Sequence, residues 1–160
     1  MATIEDIANQ LGVSVSTVSK GLNGASDIRE ALRQSVLDTA VELGYTTKQM
    51  RGKTQRKLCI FVENMDYENP EQFGYDIILG FRQSAYRENY DVTVTPVTPL
   101  FQSTEKYDTY MLKNGYVGAF MVGYALQDDW MAQFNTTNIP TILLDNFIKK
   151  NPAVSYIGTD

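Results

Sequence analysis

Between Ser14 and Asn23 the chain sets Ser14, Ser16, Thr17, Ser19, Lys20 and Asn23 among the apolar residues Val15, Val18 and Leu22. Hydroxyls, an amide and an ammonium can all donate hydrogen bonds. Donors at this density suit an acceptor-rich, anionic partner such as phosphate oxygens and base edges in a nucleic-acid groove. Thr3, a little upstream, is of the same type. The rest of the inventory points away from catalysis. The chain has no His, and so no imidazole base, no Ser–His triad and no His-based metal site. Its single cysteine, Cys59, lies in the apolar run LCIFV. It has no partner for an intrachain disulfide, suits a reducing cytoplasm, and would need a basic neighbour to act as a nucleophile. Gly115, Gly118 and Gly123 do not form a GxGxxG fingerprint, and Gly52-Lys53-Thr54 lacks the upstream glycine of a phosphate loop. Asp128 and Asp129 read as acids at a helix start. The expectation is a non-enzyme with no metal and no cofactor, whose chemistry is recognition.

Recognition needs elements to aim those donors. Ile4, Ile7, Ala8 and Leu11 recur at i, i+3, i+4, i+7, the period of one helical face. Thr3 is placed to cap that helix, with Asp6 in its first turn. Gly12 stops it in the left-handed conformation that only glycine adopts without a steric penalty. Val13 and Ser14 make the turn, and Ser14 is a good N-cap for a second helix in which Val15, Val18 and Leu22 can face inward. Gly21 weakens that helix by about 1 kcal/mol relative to Ala. A third helix over 29–43 carries Leu32, Val36, Ala40 and Leu43 at helical spacing, ends at Gly44, and buries the inner faces of the other two. Tyr45 follows. Three short helices make a small core.

Residues 46–57, TTKQMRGKTQRK, are polar and basic without periodicity and read as a linker. Beyond them the pattern changes. LCIFV is a continuous apolar run expected of a parallel strand covered on both faces. A polar loop, a helical pattern over 75–89 with Asn89 as its stop, and the alternating DVTVTPV ended by Pro96 come next. A helix over 104–114, then YVGAFMVGY as strand, DDWMAQFNT as helix, PTILLDN as strand and VSYIGTD as a fifth strand complete the series. Strands alternating with helices imply βαβ units and a parallel sheet. Small molecules bind such sheets beyond the carboxyl ends of their strands. Those ends are the 63–74, 96–103 and 123–128 loops, Asp145–Asn146 and Thr159–Asp160.

The segment GVSVSTVSK-LNG resembles the DNA-reading segment of the lactose-repressor (LacI/GalR) family of bacterial regulators. FGYDIILGFRQSAYRENYDV, VGAFMVG, IPTILLDN and VSYIGTD resemble the body of the same family, a periplasmic-binding-protein-like clamshell. The resemblance implies an all-α helix-turn-helix head over 1–45, a basic linker or shortened hinge over 46–57, and over 58–160 an incomplete α/β first lobe for effector binding and dimerisation. It further implies a homodimer on double-stranded DNA bearing a palindromic operator, acting as a repressor that responds to a sugar or sugar-phosphate effector. Val15, Ser16 and Lys20 would approach base edges, while Thr3, Ser14, Thr17, Ser19, Asn23 and Tyr45 would hold phosphates. Tyr45 is otherwise a hydrophobic plug beneath the third helix. Phe73 and Ile77 fall where apolar effector contacts are made, or else pack helix to sheet. Asp160 falls where a carboxylate accepts from a sugar hydroxyl, or is a solvated end. The hinge departs from the family pattern: no Leu lies between Tyr45 and Leu58, and Met50 is the one apolar candidate for a minor-groove wedge. Lys48, Arg51, Lys53, Arg56 and Lys57 line phosphates or are merely solvated. The family is longer than this sequence, so the effector pocket is expected to be half of a two-lobed one.

Charge follows the same division. Residues 1–57 hold eight Lys/Arg against six Asp/Glu, net +2, and residues 58–160 hold six against thirteen, net −7. A basic head on an acidic body fits contact with phosphate at one end only. No signal peptide and no membrane-length apolar run are present, which implies a cytoplasmic protein with no membrane partner. The alternative reading is a truncated α/β sugar-binding or oligomerising module whose head binds DNA only non-specifically.

Overall fold

The computed structural model describes residues 1–47 and 56–158. Three helices form the head: α1 (Ile4–Leu11), α2 (Val15–Asn23) and α3 (Glu30–Glu42). Both ends of α1 are built as the sequence predicts. Thr3 and Asp6 form a reciprocal capping box, with the Thr3 N–H donating to Asp6 Oδ2 at 2.8 Å and Asp6 N–H to Thr3 Oγ1 at 3.2 Å. Gly12 sits at φ 66° and its N–H donates to the Ala8 carbonyl. Ser14 Oγ then accepts from Thr17 N–H at 3.1 Å and starts α2. Ile7, Val18, Val36 and Ala40 are fully buried where the three helices meet. Val15 departs from the inward placement that periodicity allows: it is 44% exposed, one turn above buried Val18.

The body is a five-stranded sheet in the order β2-β1-β3-β4-β5, parallel throughout. The strands are β1 (Arg56–Val62), β2 (Tyr90–Pro96), β3 (Tyr116–Val122), β4 (Thr141–Leu144) and β5 (Val154–Ile157). The ladder begins at Arg56, two residues before the apolar run, because the exposed Arg56 and Lys57 pair in register with Tyr90 and Asp91. Helix α4 (Phe73–Arg87) covers one sheet face, packing Ile78 on Ile60, Val62, Phe120 and Val122. Asn89 does follow it in the left-handed region, at φ 63°. The other face carries α5 (Pro99–Thr104), α6 (Tyr107–Asn114) and α7 (Asp129–Gln133). There Phe61 meets the Trp130 ring edge-on at 5.0 Å, and Tyr107 meets Phe134 at 4.9 Å.

The helix expected over 104–114 is α6, but a further helix, α5, stands where the sequence pattern places the 96–103 loop. Thr98 caps the extra one through Phe101 N–H at 3.2 Å, and Pro99 lies in its first turn, where a missing N–H costs nothing. Neighbouring residues of a strand thus serve two cores, with Cys59, Phe61 and Met121 on one face and Ile60, Phe120 and Val122 on the other.

Candidate nucleic-acid interface

Helix α2 is held by its buried side, and its outer side is left to solvent. Val18 is buried and Leu22 half-buried against α1 and α3, and Gly21 lets α3 approach closely. The opposite side carries Ser14, Val15, Ser16 and Lys20, all exposed, with Thr17 and Ser19 half-exposed beside them. Capping draws in part of the set: Ser14 Oγ lies 2.9 Å from Thr17 Oγ1, and Asn23 Nδ2 donates to Ser19 Oγ at 3.3 Å. The result is a surface of short polar side chains with one long cation, able to donate to acceptors in a groove and to exclude little else.

Lys20 is not idle without a nucleic acid. Its Nζ pairs with Asp27 Oδ2, in the loop that follows α2. That hydrogen bond from Lys20 holds the Asp27 carboxyl below its ordinary range. Any base or phosphate acceptor must take Lys20 from Asp27. Nothing in the order of residues announces this partner, because it is brought into reach by the turn at Gly24.

Tyr45 lies with its ring in the head's core, 7% exposed. Its cluster includes Leu112, which belongs to the body helix α6. Head and body therefore share one apolar seam. A polar brace runs beside it: Thr109 Oγ1 donates to Asp38 Oδ1 at 3.2 Å, and Lys106 Nζ lies 3.8 Å from Asp38 Oδ2. The basic segment contributes Arg56 and Lys57 at the start of β1, and Arg56 lies over the Tyr90 ring at 4.7 Å. Met50, Lys48, Arg51 and Lys53 lie outside the described residues, as does the question of a wedge.

At the other end of the body the strand order reverses between β1 and β3, the usual place for a ligand in an open parallel sheet. Phe73 stands there, 73% exposed at the start of α4, while the neighbouring Ile77 is half-buried against the α4 core. Leu100, Leu126, Phe147 and Ile157 are also exposed near the carboxyl ends of the other strands. Asp160 lies outside the described residues. Just beneath this rim is a buried acid that the sequence pattern disguises as the polar end of an apolar run. Glu63 is 2% exposed and takes a hydrogen bond from Gln102 Nε2. Gln102 in turn accepts from Trp130 N–H at 3.1 Å. Burial pushes the Glu63 carboxyl up, and the charge of Asp128 pushes it further. Among the described residues no group of acids, cysteines or histidines could hold a metal ion.

The head segment matches a known family, and longer stretches of the chain match individual proteins. Residues 3–48 match the family of bacterial regulatory proteins named lacI. The chain is 28% identical over 148 residues to the HTH-type transcriptional regulator RegA of Clostridium saccharobutylicum, covering 91% of this chain and 44% of that protein. It is 26% identical over 165 residues to the probable HTH-type transcriptional repressor ExuR of Bacillus subtilis, covering all of this chain and 48% of the relative. Among solved structures, the transcriptional regulator CelR–cellobiose complex aligns at 20% identity and a TM-score of 0.49, over all of this chain and 48% of that one. The chain thus spans about half the length of the curated relatives it matches. The capped helices, the tight turn and the exposed second helix all lie within residues 3–48, the segment that matches the lacI family of bacterial regulatory proteins.

Proposed function

We propose that this chain is the DNA-reading end of a cytoplasmic transcriptional repressor that binds a palindromic operator as a homodimer. The observation that carries the reading is the outer face of α2, where Val15, Ser16 and Lys20 stand exposed on a helix buried by its opposite side. In this reading those three approach base edges from the major groove, with Lys20 on guanine. Thr3, Ser14, Thr17, Ser19 and Asn23 hold phosphates, and Tyr45 supports them from the core. Two-fold symmetry sets half-sites about 10 base pairs apart. A sugar or sugar-phosphate effector is assigned to the carboxyl edge of the sheet, where the exposed Phe73 ring supplies a face for an apolar sugar surface and Ile77 its backing.

The test is a titration of the chain against a symmetric half-site library and a scrambled duplex at two salt concentrations. Lys20→Ala is expected to cost about 1–3 kcal/mol on the selected site and to relax preference at one base pair. An equal loss on every duplex would instead make Lys20 a phosphate contact. Equal, steeply salt-dependent binding of the wild type to all duplexes would sink the operator reading altogether.

A further inference from the structure

The seam between head and body leaves a groove of about 350 Å³ that neither half makes alone. Ser19 and Asn23 of α2 line one wall, Leu112 and Lys113 of α6 the other, and Thr47 and Tyr45 the floor between them. Every polar group on this lining is neutral or cationic, and Lys113 supplies its one formal charge. Both helices end here, and helix ends ordinarily repel anions through their unpaired carbonyls. At these two ends several carbonyls are already engaged. Lys20 O accepts from Gly24 and Ala25, Leu112 O and Met111 O accept from Gly115, and Tyr110 O accepts from Asn114 Nδ2 at 2.8 Å. The ammonium of Lys113, exposed on the last turn of α6, is the one full charge on the groove and outweighs the partial charge of the remaining carbonyls.

The separation of the walls is fixed by packing. Leu112, next to Lys113 in the chain, is 6% exposed inside the head's apolar cluster, and the Asp38–Thr109 and Asp38–Lys106 contacts brace the same helix. The backbone that carries Lys113 is therefore held by a built interface on the same groove as Ser19 and Asn23. We propose that this groove takes a DNA-backbone phosphate. Lys113 of the body supplies the charge, Ser19 and Asn23 supply hydrogen bonds, and the body thereby extends the footprint of the head. The proposal rests on the operator-binding reading and adds to it a contact from outside residues 3–48.

The experiment is an anisotropy titration of the chain on a symmetric duplex and on scrambled duplex across a range of KCl concentrations. It compares wild type, Lys113→Gln, Lys113→Arg and Lys150→Gln, the last removing an exposed charge from the 145–153 loop. Loss of one phosphate contact lowers the slope of log K against log salt by about 0.9. Lys113→Gln is expected to show that drop and to weaken both duplexes by the same factor, while Lys113→Arg and Lys150→Gln keep the wild-type slope. A wild-type slope in Lys113→Gln, on a protein whose other variants still bind, overturns the phosphate site and leaves the operator reading standing. Absence of binding by the wild type overturns both. A calorimetric titration with inorganic phosphate, without DNA, separates the two sources of this chemistry. Phosphate binding lost in Lys113→Gln with an unchanged DNA slope assigns the groove to a small anion and also overturns the proposal.

Discussion

Gly21 occupies the middle of α2, where a glycine is costly, and its replacement by alanine tests whether packing justifies it. Helix propensity alone predicts that Gly21→Ala stabilises α2 by about 1 kcal/mol. The structure predicts the opposite sign. A β-carbon at Gly21 would stand 2.9 Å from Val36 Cγ1, 3.0 Å from Val36 Cβ and 3.1 Å from Val36 Cγ2. Val36 is fully buried and β-branched, so it has no free rotamer to retreat into. Overpacking of this kind costs about 1–3 kcal/mol, which outweighs the propensity gain and leaves a net loss of about 1 kcal/mol. The check is urea unfolding of four proteins: wild type, Gly21→Ala, Val36→Ala and the double variant. Val36→Ala alone removes two buried methyl groups and should cost about 2 kcal/mol. In the double variant the new methyl fills space vacated by Val36, so the two losses should fall short of additivity by about 1 kcal/mol or more. A Gly21→Ala protein more stable than wild type, or strict additivity in the double variant, would refute the argument that α2 is set against α3 by this contact.

Two further perturbations probe the body. Glu63 has its carboxyl raised by burial and by Asp128, so the unfolded chain releases that proton more readily than the folded one. The sign follows: folding stability falls as pH rises from the ordinary glutamate value near 4.5 through the raised folded value. Glu63→Gln should therefore match wild type at pH 4 and exceed it at pH 8 in urea unfolding; a constant difference between the two proteins across that range would exclude the linkage. Leu112→Ala empties a site shared by body helix and head core, at a cost of about 2–5 kcal/mol. Its signature is faster hydrogen exchange at Val36 and Ala40, in the head; unchanged head amides beside a lower overall stability would confine Leu112 to the body.

The parts of this molecule that were legible in the sequence are the parts whose causes are local. The Thr3–Asp6 box, the stop at Gly12 and the Ser14 cap each depend on residues within four positions of one another, and all three are built as read. The alternation of β1 and β3 between two cores follows equally from a period of two. Contacts between distant segments were not legible. Periodicity offered Val15 to the core, and it is exposed because α3 covers only the side bearing Val18 and Leu22. Helix α5 was hidden because its six residues are too few to show a period, although Thr98 and Pro99 announce its start. Lys20 gave no hint of Asp27, nor Leu112 of the head. Glu63 closes an apolar run as any strand-end acid would, and only the Gln102 contact shows that it is buried.

Helix α6 is the element on which the two halves depend together. On one side it packs Tyr107 against Trp130 at 5.3 Å, and Tyr107 N–H donates to Gln133 Oε1 at 2.8 Å, tying it to α7. Trp130 N–H in turn reaches Gln102, and Gln102 reaches Glu63 at the carboxyl edge of the sheet. On the other side α6 holds the head through Leu112, Thr109 and Lys106. A close-packed interior does not deform continuously, so a displacement of α7 or α5 must either be absorbed at their contacts with α6 or carried by α6 as a body. In the second case the Asp38 brace and the Leu112 seam move together, and the orientation of α2 moves with them. A ligand at the sheet edge can exploit that only by binding one placement of α6 more tightly than the other. The free energy it delivers to the head is bounded by that difference in affinity, whatever its total affinity for the rim.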